Sequence, residues 1–167
     1  MNKTVVIGMD NPLRGDDGAG WAVVDALWAN PIAGVTAVST HQLLPEHIDL
    51  FQEAAQVIFV DASVVGEPGE VMVTGVSPTT EGPAASHHLH PAVLLALGEK
   101  IYGRMPPGTL VTITGDDFGY QETLSVKVQA GVETAVRQIR QLAIKQLADV
   151  PTSLSAQNIP QDDVLDP

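Results

Sequence analysis

The chain contains no cysteine, which excludes disulfides, thiolate metal ligands and a cysteine nucleophile together. It is also short of cations. Eight Lys and Arg stand against 20 Asp and Glu, for a formal net charge of −12. Phosphate neutralisation needs clustered basic side chains, and the few here are scattered, so no nucleic-acid partner is expected. Long apolar runs are missing too: the longest are five to seven residues, well under the ~20 of a membrane-spanning helix. The opening residues MNKTVVIGMD run straight into a strand-like segment, a start expected of a chain without a secretory leader. These absences lead to the expectation of a cytoplasmic protein with neither a nucleic-acid nor a membrane partner.

What is present suits a globular domain. The 167 residues, 44% of them hydrophobic, suffice for one core, and a single domain is expected over residues 1–148. Short β-branched or apolar runs at 4–8, 34–40, 55–63, 69–76 and 108–115 read as strands, the fourth at a sheet edge. Helical spacing is found at 18–28 and 89–103, the latter ended by Gly103, and over a long closing segment at 124–147. Pro45 opens a further short helix, where a first turn accepts proline. Residues 149–167 carry three prolines and little apolar content, and disorder is expected there. Alternating strands and helices imply a mostly parallel sheet covered on both faces. Binding sites in such sheets form at the carboxyl ends of the strands.

That rule draws attention to the acids. The turn GMDNPLRGDDGAG follows the first strand and carries Asp16 and Asp17; Asp61 closes the third. A dinucleotide loop needs G-x-G-x-x-G, whereas this turn reads Gly15-Asp16-Asp17-Gly18-Ala19-Gly20. Two carboxylates would occupy the place of a pyrophosphate. No G-x-S-x-G elbow supports a serine nucleophile either. Two readings of the acids stay open on the residues alone. Asp16 or Asp17 can cap the following helix. Alternatively, Asp17, Asp61 and a histidine of the run Ser86-His87-His88 can hold a borderline divalent ion such as nickel or zinc. A proton-sharing aspartate pair would require Asp17 and Asp61 in contact. His41 is expected to face the same sheet end and His47 to face solvent. His90 falls in the first turn of its helix, and Trp21 and Trp28 read as core or helix-packing residues. The GDDFG segment at 115–119 reads as a turn, and Leu43, Leu44 and Leu89 as a possible exposed patch.

The turn GMDNPLRGDDGAG, the strand end VIFVDAS and the loop SHHLHPAVLLAL together resemble the [NiFe]-hydrogenase maturation endopeptidases. HQLLPE at 41–46 and GDDFGYQETLS at 115–125 extend the resemblance, which runs in order from Thr4 to about Leu147. The nearest group is the one serving bidirectional, cytoplasmic-type hydrogenases. The resemblance implies an α/β fold, a three-layer α/β/α sandwich with a mostly parallel sheet and an antiparallel edge strand. It also implies a function. Such an enzyme removes a C-terminal extension from the hydrogenase large-subunit precursor once nickel is in place. The nickel is supplied by that precursor, and no organic cofactor is needed. The acids that would contact it match Asp17 and Asp61. The pattern Ser-x-His-apolar selects His88 over His87, and Asp16 is left to cap and support. These three residues are thus the expected catalytic and metal-contacting set. A monomer with the precursor as a transient partner is expected. The alternative is a nickel-dependent checkpoint or chaperone that binds the same precursor without cutting it, and a small-molecule hydrolase is more distant. One departure stands out: the family shows Gly-x-Gly-Asn where this chain has Gly8-Met9-Asp10-Asn11. If that position has positive φ, Asp is among the least costly replacements for glycine.

Overall fold

The computed structural model describes residues 3–82 and 88–149. Ser86, His87 and nearly all of the C-terminal segment singled out above lie outside the described residues. The chain alternates strands with helices: β1 Lys3–Gly8, α1 Ala19–Ala29, β2 Val35–Ser39, β3 Ala54–Ser63, β4 Val71–Val76, α2 Pro91–Tyr102, β5 Gly108–Thr114 and α3 Val126–Ala148. A 3-10 turn, Gly15–Gly18, leads into α1, and a longer 3-10 segment, Pro45–Phe51, lies between β2 and β3.

The sheet order is β2-β1-β3-β5-β4. All pairings are parallel except that of β4 with β5, so β4 is the antiparallel edge strand. Parallel strands covered on both faces must be apolar throughout. Accordingly Val5, Val6 and Ile7 of β1 and Val57 to Val60 of β3 are all fully buried. Side chains alternate between faces, and this divides the core in two. Val6, Ile58, Val60, Val111 and Ile113 pack with α1 and α3 on one face. Val5, Ile7, Val57 and Phe59 pack with Ile48, Phe51, Leu94 and Leu95 of the 3-10 segment and α2 on the other. The result is the expected three-layer α/β/α sandwich.

Two details of local chemistry set the geometry of the first loop. A Cβ on Gly20 would lie 2.7 Å from both the Met9 nitrogen and the Val60 oxygen, so only glycine lets α1 approach the ends of β1 and β3 this closely. Asp10 sits at φ 86°, alone among the described non-glycine residues in having positive φ, as the glycine it replaces would suggest. The chain leaves β1 for β2 on one side, whereas it leaves β3 for β4 and β5 on the other. The β1 and β3 loops therefore diverge above a crevice at the switch in strand order, where ligands of open α/β sheets bind.

Several side chains lie elsewhere than expected. Trp28 is on the surface, 55% exposed, and the half-buried Trp21 lines no core cluster, so of the two roles expected, core or helix packing, both take the second. Their indole N–H groups donate to the carbonyls of Ala37 and Thr40 and so strap α1 to β2 and its end. Leu43 is buried in the α2-side core rather than exposed, while Leu44 and Leu89 are half-buried. His47 is half-buried too, because its Nδ1 accepts from the Leu44 N–H at 2.8 Å and satisfies the start of the 3-10 segment.

Candidate active site

Asp16 and Asp17 are adjacent in sequence and opposite in character. Asp16 is fully buried. Its Oδ2 accepts from the Asp116 and Asp117 N–H groups at 2.8 Å and from Ser125 Oγ at 2.8 Å; Oδ1 accepts from the Ser125 N–H at 2.7 Å. Burial alone would raise this carboxyl, but the hydrogen bonds from Asp117, Asp116 and Ser125 outweigh it and hold its pKa below the ordinary value. The capping role expected of Asp16 is therefore corrected. Neither the 3-10 turn nor α1 has a side-chain cap. Asp16 instead ties the β1 loop to the segment after β5 and to Ser125, which caps α3. The backbone seals the same junction, with Asp16 N–H donating to Asp117 O and Gly15 N–H to Gln121 O, both at 2.8 Å.

Asp17 is half-buried and close enough to Asp61 to act on it by charge. Its Oδ2 accepts from the Asn11 N–H at 3.1 Å. Burial and the charge of Asp10 raise its pKa, against the opposing pull of the Asn11 N–H and of Arg14. Asp61 lies at the end of β3, level with Thr112 of β5. Its carboxyl is pushed up to about 9, first by burial, then by its hydrogen bond to Asp10 and by the charges of Asp10 and Asp17. Protonated Asp61 therefore donates to Asp10. The carboxyl partner of Asp61 is Asp10, not the Asp17 that a sequence-based pairing would require.

Asp10 and Asp61 line a cleft of about 190 Å³ with His41, Gln42, His88 and His90. The histidines differ in what holds them. His90 Nδ1 accepts from the Ala92 N–H at 3.2 Å, so this ring caps α2. His41 packs against Trp21 in a tilted contact, with ring centroids 5.1 Å apart. His88 is exposed, with Nδ1 3.0 Å from Gln42 Oε1. A hydrogen-bond partner on one ring nitrogen orients the imidazole, as partners do for histidines that ligate or act as bases. Larger hollows lie elsewhere. One of about 620 Å³ opens at the opposite sheet end beside Glu53 and Arg104, and one of about 480 Å³ lies between β4 and α3. Neither gathers histidines with carboxylates.

Asp17, Asp61 and His88 are thus gathered at one sheet end to different degrees. Asp17 acts on Asp61 through its charge, and His88 shares a cleft with Asp61. Among the described residues, no three His, Asp or Glu side chains are grouped tightly enough to chelate an ion by themselves. Three further residues belong to the arrangement. Asp10 was signalled in the sequence by its departure from glycine. Gln42 and Ser125 carry no such signal, since their partners are 46 and 109 residues away.

No protein-family model matches the chain, and no curated protein is significantly similar to it in sequence. Solved structures are similar. The hydrogenase maturating endopeptidase HybD from E. coli superposes with a TM-score of 0.73 at 22% identity, covering 86% of this chain and 93% of that one. The [NiFe] hydrogenase maturation protease HybD from Thermococcus kodakarensis gives 0.70 at 23%, covering 84% and 99%. The endopeptidase HycI from Escherichia coli gives 0.64 at 21%, covering 83% and 90%. The chain has the α/β fold of these maturation proteases over nearly their whole length.

Proposed function

We propose that this protein is an endopeptidase that removes the C-terminal extension of a [NiFe]-hydrogenase large-subunit precursor after nickel insertion. The observation that carries the reading is the convergence of Asp10, Asp17 and Asp61 above the β1–β3 crevice, on a fold shared with proteins named as hydrogenase maturation proteases. Asp10 raises the pKa of Asp17, and Asp10 and Asp17 together raise that of Asp61, so the site is short of positive charge. Nickel carried by the precursor supplies that charge, with Asp17, Asp61 and His88 as its contacts on this chain. Because these groups are not closed into a chelate, the precursor's own donors complete the coordination. A precursor without nickel would bring the carboxylates no counter-charge, and so the same residues read whether the metal is in place.

The cut itself is a hydrolysis. The water oxygen adds to the scissile carbonyl carbon, the C–N bond breaks, and the departing amine takes a proton. A carboxyl pair such as Asp61 and Asp10 is able to hold and return that proton. On this reading the enzyme works in the cytoplasm as a monomer that meets its precursor transiently, and it belongs with the group serving bidirectional hydrogenases.

The test is the intact mass of a nickel-loaded and a nickel-free precursor after incubation with the protein. Loss of a C-terminal peptide from the loaded form only is the expected result. Binding of the loaded precursor without any mass loss would replace the peptidase by a nickel-dependent checkpoint.

A further inference from the structure

The same sheet end carries an apolar surface that the cleft does not use. Isolated exposed hydrophobic side chains are ordinary; their concentration is what carries information. Leu13 follows β1, Val64 and Val65 follow β3, Tyr120 follows β5, and Val126 begins α3. Each is more than half exposed, Tyr120 at 94%. No core contact requires apolar residues at these positions, and two of them are β-branched residues in a loop.

These loops are fixed to one another by backbone and side-chain hydrogen bonds. Gln121 N–H donates to Leu13 O at 3.2 Å, Gly115 N–H to Ser63 O at 2.8 Å, and Thr114 Oγ1 to Val65 O at 2.9 Å. The Asp16 carboxylate pins Ser125, next to Val126. A surface held in this way loses little conformational freedom when covered. Its charge is one-sided: Glu67, Glu70, Asp116, Asp117 and Glu122 are exposed on the same segments, against Arg14 and Lys127.

We propose that the loops after β1, β3 and β5, with the start of α3, form a docking face for a protein whose matching surface has an apolar centre ringed by lysine and arginine. On the function proposed above, which this inference rests on, that protein is the precursor itself, held by its folded body while its C-terminal segment reaches the cleft. Charge selects this occupant over a second copy of the chain. Two such faces would bring like-charged rims together on molecules of net charge −12. An anionic membrane is disfavoured for the same reason.

The test compares wild type with Val64→Ser/Val65→Ser/Tyr120→Ser and with Glu67→Lys/Glu122→Lys, all at exposed positions, after matching thermal melts confirm the fold. Binding to nickel-loaded precursor and its cleavage are both measured, at low and high salt. Removing the apolar centre should raise KM and Kd by at least about tenfold, with kcat within about twofold of wild type. Reversing the rim should weaken binding at low salt and lose its effect at high salt. Unchanged KM and Kd in the triple variant, beside a cleaving wild type, would overturn the docking face and leave the peptidase reading intact. Wild type that binds without cutting, with binding lost in the triple variant, would overturn only the peptidase reading. No binding by wild type would remove both. A wild-type dimer in sedimentation that the triple variant dissociates would assign the face to a second copy and overturn the basic partner.

Discussion

Asp61→Asn should make the protein more stable, and increasingly so as pH rises. The folded state holds the Asp61 carboxyl up to about 9, whereas an unfolded aspartate titrates near ~3.9. Between these values the native chain keeps a proton that the unfolded chain releases, so stability is greatest below the unfolded pKa and falls as pH rises toward the folded one. Each unit of separation corresponds to ~1.4 kcal/mol, so the span from pH 5 to 8 sets an upper bound of ~4 kcal/mol. Relaxation and water entry reduce such penalties in real proteins, and ~1–3 kcal/mol is the working expectation. Asparagine cannot ionise, yet its amide can still donate to Asp10 as the protonated carboxyl does.

Urea unfolding at pH 5, 6.5 and 8 measures the effect. The other carboxylates titrate alike in both proteins and cancel in the difference. With a urea slope of ~1–3 kcal/mol per molar for a small domain, the gap between the midpoints should widen by roughly 1 M from pH 5 to 8. Parallel curves, or an asparagine variant that is less stable at pH 8, would refute the reasoning. Either would mean that Asp61 ionises freely beside Asp10 and Asp17. The variant should also lose precursor cleavage, the usual exchange of activity for stability at a strained site.

Three more outcomes follow from the same geometry. Asp16→Ala leaves two loop N–H groups, the Ser125 N–H and the Ser125 hydroxyl without their acceptor; a loss of ~3–5 kcal/mol is expected in urea unfolding. Asp10→Gly and Asp10→Ala both remove the carboxylate beside Asp61, but only glycine also relieves φ 86°. The glycine variant should be the more stable of the two by ~1–2 kcal/mol in parallel melts. Gln42→Leu removes the oxygen that fixes the His88 ring; kcat/KM on nickel-loaded precursor should fall ~10–100-fold with the melting temperature nearly unchanged.

The fold was legible wherever a local pattern dictated it. Val57 to Val60 could only be a strand buried on both faces, and Gly103, at φ 78° after α2, ends that helix as a left-handed residue should. The edge position of β4 followed from its weaker, alternating pattern, and its two middle residues Val73 and Thr74 are indeed exposed. Side chains whose partners lie far along the chain were not legible. Asp16 looks like a helix cap because its neighbours are those of a cap, but its acceptors serve residues 100 to 109 positions away. Trp28 reads as core or helix-packing by type, and only the structure selects the second, through a β2 carbonyl at the surface. Leu43, considered with Leu44 and Leu89 for an exposed patch, packs into the α2-side core.

A division of labour within the Asp16-Asp17 pair accounts for the run of acids. A carboxylate held close to others of its kind is costly to keep ionised, because like charges disfavour one another. The loop carrying it must therefore be anchored by something that does not depend on the crevice. Asp16 meets that need from the adjacent position: its charge is fully satisfied by three N–H groups and a hydroxyl. It turns away from Asp17 into the junction with the β5 loop, leaving Asp17 with one N–H donor, that of Asn11. One aspartate is thus stabilised as an anion by the fold, while its neighbour and Asp61 are kept short of positive charge. On the proposed function, the missing charge arrives with the substrate, so the strain that lowers the stability of the free enzyme is also what makes it select a precursor that carries its metal.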